Sequence, residues 1–253
     1  DIPKTKVKLS FKCFDLVDKD WLSKSDPIII LLERKTQNDE WTFIGRTEFL
    51  KDNQNPSFNE KITLEYTFES KQYLQIIVLD VDDERNLPTK YVKDSDETDL
   101  LGRVECLLSE VVGARNSTFD KELTGNKPGR KYGRIRVQSE EIAETARVGD
   151  TLVLHMQGKD LAAKDGLLGK SDPFLVFQRR MPDGTLVKLH TTEFVSQNLN
   201  PEWKEIRLDM LELCNGDLAR PVIIECWDYD SMSSPDSIGD VTTCVADLIA
   251  HRP

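Results

Sequence analysis

The chain has 253 residues, 31% of them charged, with a net charge of −11. That length accommodates two ordinary domains, and a 38% apolar share with four tryptophans is enough for buried cores. The negative charge argues against a constitutive partner of nucleic acid or anionic lipid, which calls for a basic protein, unless something cancels the local negative charge. No apolar run approaches the length of a membrane span, and no secretory pattern opens the chain. The cysteines Cys13, Cys106, Cys214, Cys226 and Cys244 are scattered, with no CxxC pair. Reduced thiols in a cytosolic protein are therefore expected, without disulfides or a zinc site.

Taken in chain order, the expected elements are mostly strands. Val7, Leu9, Phe11 and Cys13 alternate with Lys6, Lys8, Ser10 and Lys12, the period of a half-buried strand. Residues 28–32 form an apolar run after a proline and read as a core strand. Asn55-Pro56 is a turn dipeptide, and residues 73–79 are again strand-like. The polar, charged stretch 83–98 reads as a surface loop. A short helical turn near 107–112 precedes two strand-like stretches, 119–123 and 130–138. Residues 140–149 are acidic and read as a linker. The second half offers the turn Asn200-Pro201, a strand over 222–226 and a helical turn near 245–250. Many short strands at even spacing imply an antiparallel sandwich.

The halves repeat one another. LSKSDPIII aligns with LGKSDPFLV, and TEFLKDNQNPSFNEKITL with TEFVSQNLNPEWKEIRL. VLDVDD aligns with ECWDYDS, and LLGRVECLLSEVV with SIGDVTTCVADLI. The offset is 146 for Asp26 and Asp172, 145 for Asn55 and Asn200, and 148 for Asp80 and Asp228. It falls to 137 for Gly102 and Gly239, so the first repeat holds eleven extra residues within the 83–98 loop. Counterparts of the first repeat's last two strands would lie beyond Pro253. The organisation read from this is a first domain over 1–139, a linker over 140–149 and a second domain over 150–253 that lacks its last strands in this chain.

Aspartates fall at matched places in both repeats: Asp20, Asp26, Asp80, Asp82 and Asp99, then Asp165, Asp172, Asp228, Asp230 and Asp236. Alternate residues at a strand end share a face, so each Asp-x-Asp aims two carboxylates into one space. Two carboxylates about 4 Å apart repel by roughly 4 kcal/mol at an effective dielectric near 20. A hard divalent cation removes that repulsion. Calcium suits a set of six to eight loop oxygens in tolerant geometry, whereas magnesium demands a near-ideal octahedron.

These motifs resemble a C2 domain: an aspartate ahead of Ser-Asp-Pro, an Asn-Pro followed by an aromatic (Phe58, Trp203), and an Asp-x-Asp with a later aspartate. Two in tandem, with KSDPF at 170–174, LNPEWK at 199–204 and DYDS at 228–231, are similar to the copines; a synaptotagmin-like tandem C2 protein is the runner-up. The resemblance implies all-β architecture, with two tandem eight-stranded antiparallel β-sandwich C2 domains whose loops cluster at one end. It also implies the ten aspartates as calcium ligands and, in copines, a von Willebrand A domain after the C2 pair. The sequence departs from the pattern in two places. Asp165 and Asp172 are seven apart where Asp20 and Asp26 are six, and the 83–98 insertion leaves Asp94 or Asp96 as alternatives to Asp99.

Apolar residues flank these aspartates: Trp21 and Leu22 in the first repeat, Leu167, Leu168 and Met232 in the second. Exposed apolar tips call for a membrane or a partner, and Trp suits the headgroup level. The expected function is calcium-dependent binding to anionic phospholipid, with a cytoplasmic protein translocating to the plasma or another cytosol-facing membrane. The alternative is a calcium-insensitive C2 scaffold for protein partners. His155, His190 and His251 show neither metal spacing nor a nucleophile constellation, and no phosphate-binding glycine loop is present. An enzyme is not expected.

Overall fold

A computed structural model describes residues 3–17, 25–81, 99–143, 147, 149–164 and 169–250. It divides the chain into two units, Asp1–Glu141 and Ile142–Pro253. In the first unit, β1 (Lys4–Phe14), β4 (Ile62–Thr67), β7 (Thr118–Glu122) and β8 (Arg134–Ile142) form a sheet in the order β4-β1-β8-β7. A second sheet, in the order β3-β2-β5-β6, holds β2 (Pro27–Arg34), β3 (Thr42–Arg46), β5 (Tyr73–Asp80) and β6 (Leu100–Leu107). This is an eight-stranded sandwich, with antiparallel pairing throughout the described registers.

The alternation in β1 places Val7, Leu9, Phe11 and Cys13 in the core, against Ile29, Leu31, Leu74, Ile76 and Val78 of the facing sheet. β2 is buried on both faces. Its other side, Ile28, Ile30 and Leu32, joins Leu79, Val81 and Leu100 in a separate apolar cluster flanked by Trp41, Phe43 and Phe49. An unbroken apolar run in a strand reflects this double burial.

The second unit repeats one sheet whole and half of the other. β10 (Pro173–Arg180), β11 (Leu186–Thr191), β13 (Pro221–Asp228) and β14 (Asp236–Cys244) pair in the order β11-β10-β13-β14, and β9 (Thr151–Leu154) pairs with β12 (Ile206–Asp209). Among the described residues β9 has no strand in the place β8 takes beside β1. The core is Leu175, Phe177, Trp203, Ile206, Leu208, Leu213, Val222 and Ile224, with smaller neighbours. Phe58 and Trp203 after the Asn-Pro turns are core residues, 5% and 6% exposed.

The short helices α1 (Leu108–Val112) and α3 (Val245–Ala250) lie where the sequence suggested. The sequence reading gave no helix at α2 (Met210–Cys214); its signal is Asp209, whose Oδ1 accepts the Glu212 amide at 3.0 Å as an N-cap. β8 runs on through Glu140 and Glu141 into the stretch read as linker. Polar residues hid this extension, yet several of them are held: the Ser139 hydroxyl donates to the Val111 carbonyl at 3.2 Å, and Thr5 Oγ1 donates to Glu141 at 2.7 Å. All five cysteines are free thiols.

Candidate functional site

The acidic loop end of each unit is built on one strand pair. In the first unit Pro27 opens β2 opposite Asp80, the last residue of β5. In the second, Pro173 opens β10 opposite Asp228, the last residue of β13. Proline lacks a ladder donor, so the first position of a strand suits it. The Asp26 amide donates to Asp80 Oδ1 at 2.6 Å, and the Val81 amide returns a bond to the Asp26 carbonyl at 3.1 Å. The Asp172 amide donates to Asp228 Oδ1 at 2.6 Å, and the Tyr229 amide donates to the Asp172 carbonyl at 3.1 Å. In both copies, therefore, one bond joins the two aspartates and a second ties the residue after the strand-end aspartate back to the residue ahead of the proline.

The ladder irregularities also correspond. The β2–β3 pairing shifts between Leu31 and Leu32, and the β10–β11 pairing between Phe177 and Gln178. The β5–β6 register shifts between Val78 and Leu79, and the β13–β14 register between Cys226 and Trp227. A bulge one or two residues ahead of Asp80 and Asp228 re-aims the strand end.

Across the ladder, Asp236 pairs with Asp228, and the Asp80 amide donates to the Asp99 carbonyl at 2.8 Å. Asp99 and Asp236 thus occupy equivalent positions despite the insertion, and both are exposed. Asp228 is only 3% exposed. Asp26 Oδ1 accepts from the Asp52 amide at 2.8 Å; Asp172 Oδ1 accepts from the Gln197 amide at 2.6 Å and from the Ser196 hydroxyl at 3.2 Å. Asp230 behaves differently. Its Oδ1 takes the Met232 amide and its Oδ2 the Ser233 hydroxyl, both at 2.7 Å, so the carboxylate folds onto its own loop. The Met232 amide, then the Ser233 hydroxyl, hold its pKa below the usual carboxylate value.

Asp20, Asp82 and Asp165, the tip residues Trp21, Leu22, Leu167 and Leu168, and the alternatives Asp94 and Asp96 lie outside the described residues. Among the described residues no group of three or more His, Cys, Asp or Glu side chains is close enough to hold a metal ion. Asp26 with Asp80, and Asp172 with Asp228, are brought together; Asp230 is turned aside. The aspartates that the described residues bring together at each loop end nevertheless offer carboxylate oxygen. That is the chemistry of a hard cation such as calcium. Met232 is 96% exposed.

Sequence reasoning missed the residues that brace these loops. Asn55 Oδ1 accepts the amide of Asp15, and Asn200 Oδ1 the amide of Asp160, each at 2.9 Å. Asp15 and Asp160 adopt φ of 53° and 51°, a left-handed geometry that Asp tolerates better than most residues. Five positions separate Asp15 from Asp20 and Asp160 from Asp165. The extra residue of the second copy therefore lies after Asp165, not before it. Thr47 and Thr192 receive the Ile29 and Leu175 amides at 3.0 and 2.9 Å. Glu48 takes the Asn59 and Glu60 amides, and Glu193 takes the Lys204 amide. The signal was the Thr-Glu-Phe tripeptide present in both repeats.

Comparison with known proteins accords with this architecture. The C2 domain family matches residues 7–123 and 150–253. The chain therefore belongs to the C2 domain family and carries two copies of the domain. It is 36% identical to Copine-D and 32% identical to Copine-B, both of Dictyostelium discoideum, over 242 residues in each case. Those alignments cover 96% of this chain and 43% of each relative. The C2 pair is of the copine type, and the chain spans less than half the length of the copines it matches. Among solved structures, BON1-C2B is 35% identical, covering 40% of this chain and 67% of its own, with a TM-score of 0.36.

Proposed function

We propose that the two C2 domains form a calcium-dependent phospholipid-binding module that recruits the protein to anionic, cytosol-facing membranes. Asp20, Asp26, Asp80, Asp82 and Asp99 would hold calcium in the first domain, and Asp165, Asp172, Asp228, Asp230 and Asp236 in the second. The bound ion supplies positive charge that offsets the acidic loops and accepts headgroup oxygen. The chain's own part is to hold the loop roots fixed through the Asp26–Asp80 and Asp172–Asp228 bonds, and to present Trp21, Leu22, Leu167, Leu168 and Met232 to the bilayer. The observation that carries this reading is the duplicated bond pattern at the strand ends, which brings aspartates together at one end of each sandwich. A von Willebrand A domain in the full-length protein, as in the copine family, completes the proposal.

A calcium-insensitive protein-binding scaffold is the second reading, favoured by Asp230, whose two oxygens are already engaged within its own loop. Co-sedimentation with phosphatidylserine vesicles separates the two. Recovery should rise at least tenfold from chelator to calcium, since each tenfold step is about 1.4 kcal/mol. Equal recovery in both conditions would overturn the switch. The pair Asp80→Asn and Asp82→Asn should abolish calcium binding by the first domain while leaving the second domain's heat of titration intact.

A further inference from the structure

The outer face of the β11-β10-β13-β14 sheet carries a row of aromatic rings that runs up to the acidic loop end. Phe174 lies directly opposite Trp227, and Tyr229, two residues further on, continues Trp227's face. Phe194 stacks on Tyr229 with ring centroids 4.4 Å apart and planes within 3°. Both rings of this pair remain open to solvent, Phe194 at 46% and Tyr229 at 39%. Further from the loops the row ends in polar groups: Glu225 Oε2 accepts the Trp227 indole N–H and the Gln178 side-chain N–H, each at 2.9 Å. The surface thus grades from Met232 at the apex, through paired rings, to a hydrogen-bonded carboxylate.

The first domain does not share this surface. The bond from the Val81 amide to Asp26 matches that from Tyr229 to Asp172, so Val81 stands where Tyr229 does, and it is 8% exposed. Ile28 and Leu79, the counterparts of Phe174 and Trp227, are 0% and 5% exposed, and Phe49, the counterpart of Phe194, packs against the same cluster.

We propose that the second domain docks on an anionic bilayer leaning onto this aromatic flank, with Phe194, Tyr229 and Trp227 in the headgroup layer, rather than standing on its loop tip alone. The inference rests on the calcium and phospholipid reading and deepens it. A bilayer is the partner favoured, for two reasons. Tyr229 sits between Asp228 and Asp230, so the flank is continuous with the candidate ion site. Amphipathic rings with a polar end also suit the layer between hydrocarbon and water.

The test uses the full chain and vesicles of phosphatidylcholine with one quarter phosphatidylserine. The double substitution Phe194→Ala and Tyr229→Ala should weaken calcium-dependent vesicle binding about tenfold, in line with the apolar area removed. Calcium titration without lipid should be unchanged. Brominated lipid should quench wild-type tryptophan fluorescence more than that of Trp227→Phe. The single variant Tyr229→Ser keeps the backbone bond to Asp172 and guards against misfolding; it should show a smaller loss of the same kind. Phe49→Ala in the first domain should leave vesicle affinity unchanged. Equal vesicle affinity of wild type and double variant overturns the leaning orientation and leaves the calcium reading intact. Failure of the wild type to bind vesicles in calcium overturns both.

Discussion

The two C2 domains keep the same acidic loop scaffold on unequal sandwiches. In the first, Leu123 follows β7 and lies over Gly102, where an added Cβ would come within 2.8 Å of it. In the second, Gly239 at the matching position has nothing within 4 Å. Val104 on β6 is 5% exposed, while its counterpart Val241 on β14 is 52% exposed. Yet the bonds from Asp26 to Asp80 and from Asp172 to Asp228 have the same length, and the bulges fall at the same positions. The geometry of these strand ends therefore belongs to the central pair, β2 with β5 or β10 with β13. It does not depend on the strands that close the other sheet.

The sharpest way to break this comparison is to damage a core and watch the loops. Trp203→Ala removes a buried ring and its indole bond to the Pro173 carbonyl, and should cost the second domain about 3–5 kcal/mol. Hydrogen exchange should then accelerate across β10 and β13 and stay slow across β2 and β5; acceleration in both would show that the domains fold as one. Gly102→Ala should destabilise the first domain by about 1–3 kcal/mol through overpacking against Leu123. Gly239→Ala should stay within about 0.5 kcal/mol of wild type. Equal effects in thermal melts would deny that the two glycines differ in their surroundings. Asn55→Ala and Asn200→Ala should each cost about 1 kcal/mol for one lost hydrogen bond, and by similar amounts if the clamps are equivalent.

The last contrast vanishes at neutral pH. Burial, with a further push from Glu110, raises the Cys106 thiol from 9.0 to about 12, and burial, aided by Asp228, raises Cys226 to about 11. A group whose pKa is higher in the folded state contributes stability that is complete below its unfolded pKa and is lost as pH rises. The share contributed by Cys106 should therefore be lost between pH 9.0 and about 12 and that of Cys226 between pH 9.0 and about 11, with buried Cys13 and Cys214, whose thiols are also raised, adding to the alkaline loss of their own domains. Cys106→Ala and Cys226→Ala should flatten those slopes in alkaline denaturation curves, and an unchanged slope would count against burial as the cause.

Much of the fold was legible because the strand signals are local. The alternation of Val7, Leu9, Phe11 and Cys13 is a direct image of one buried face, and the repeat offsets hold because the Asp-bearing strand ends cannot shift without losing their pairing. The positions of Asp26, Asp80, Asp172 and Asp228 were readable for the same reason. Other features depend on tertiary contacts that no short window contains. The amide bonds that Asn55 and Asn200 accept span 40 residues. Asp230 folds back through a backbone amide and a serine hydroxyl, which a pattern of acidic letters does not convey. The exposure of Phe194 and Tyr229 contrasts with the partly buried Phe49 and buried Val81, while the letters Thr-Glu-Phe are identical in both repeats.

The Asn55 and Asn200 anchors have a kinetic consequence. Each holds the backbone five residues ahead of the first aspartate of its loop, and the next residue is tied as well: the Leu16 amide donates to the Gln54 carbonyl at 3.0 Å and the Leu161 amide to the Leu199 carbonyl at 2.9 Å. The root of each loop is thus set before a partner arrives, so ordering it should not delay uptake. The pace of engagement would then be set by arrival and loss of hydration, and inserting a few glycines after Asp15 or Asp160 should lower affinity through added chain entropy.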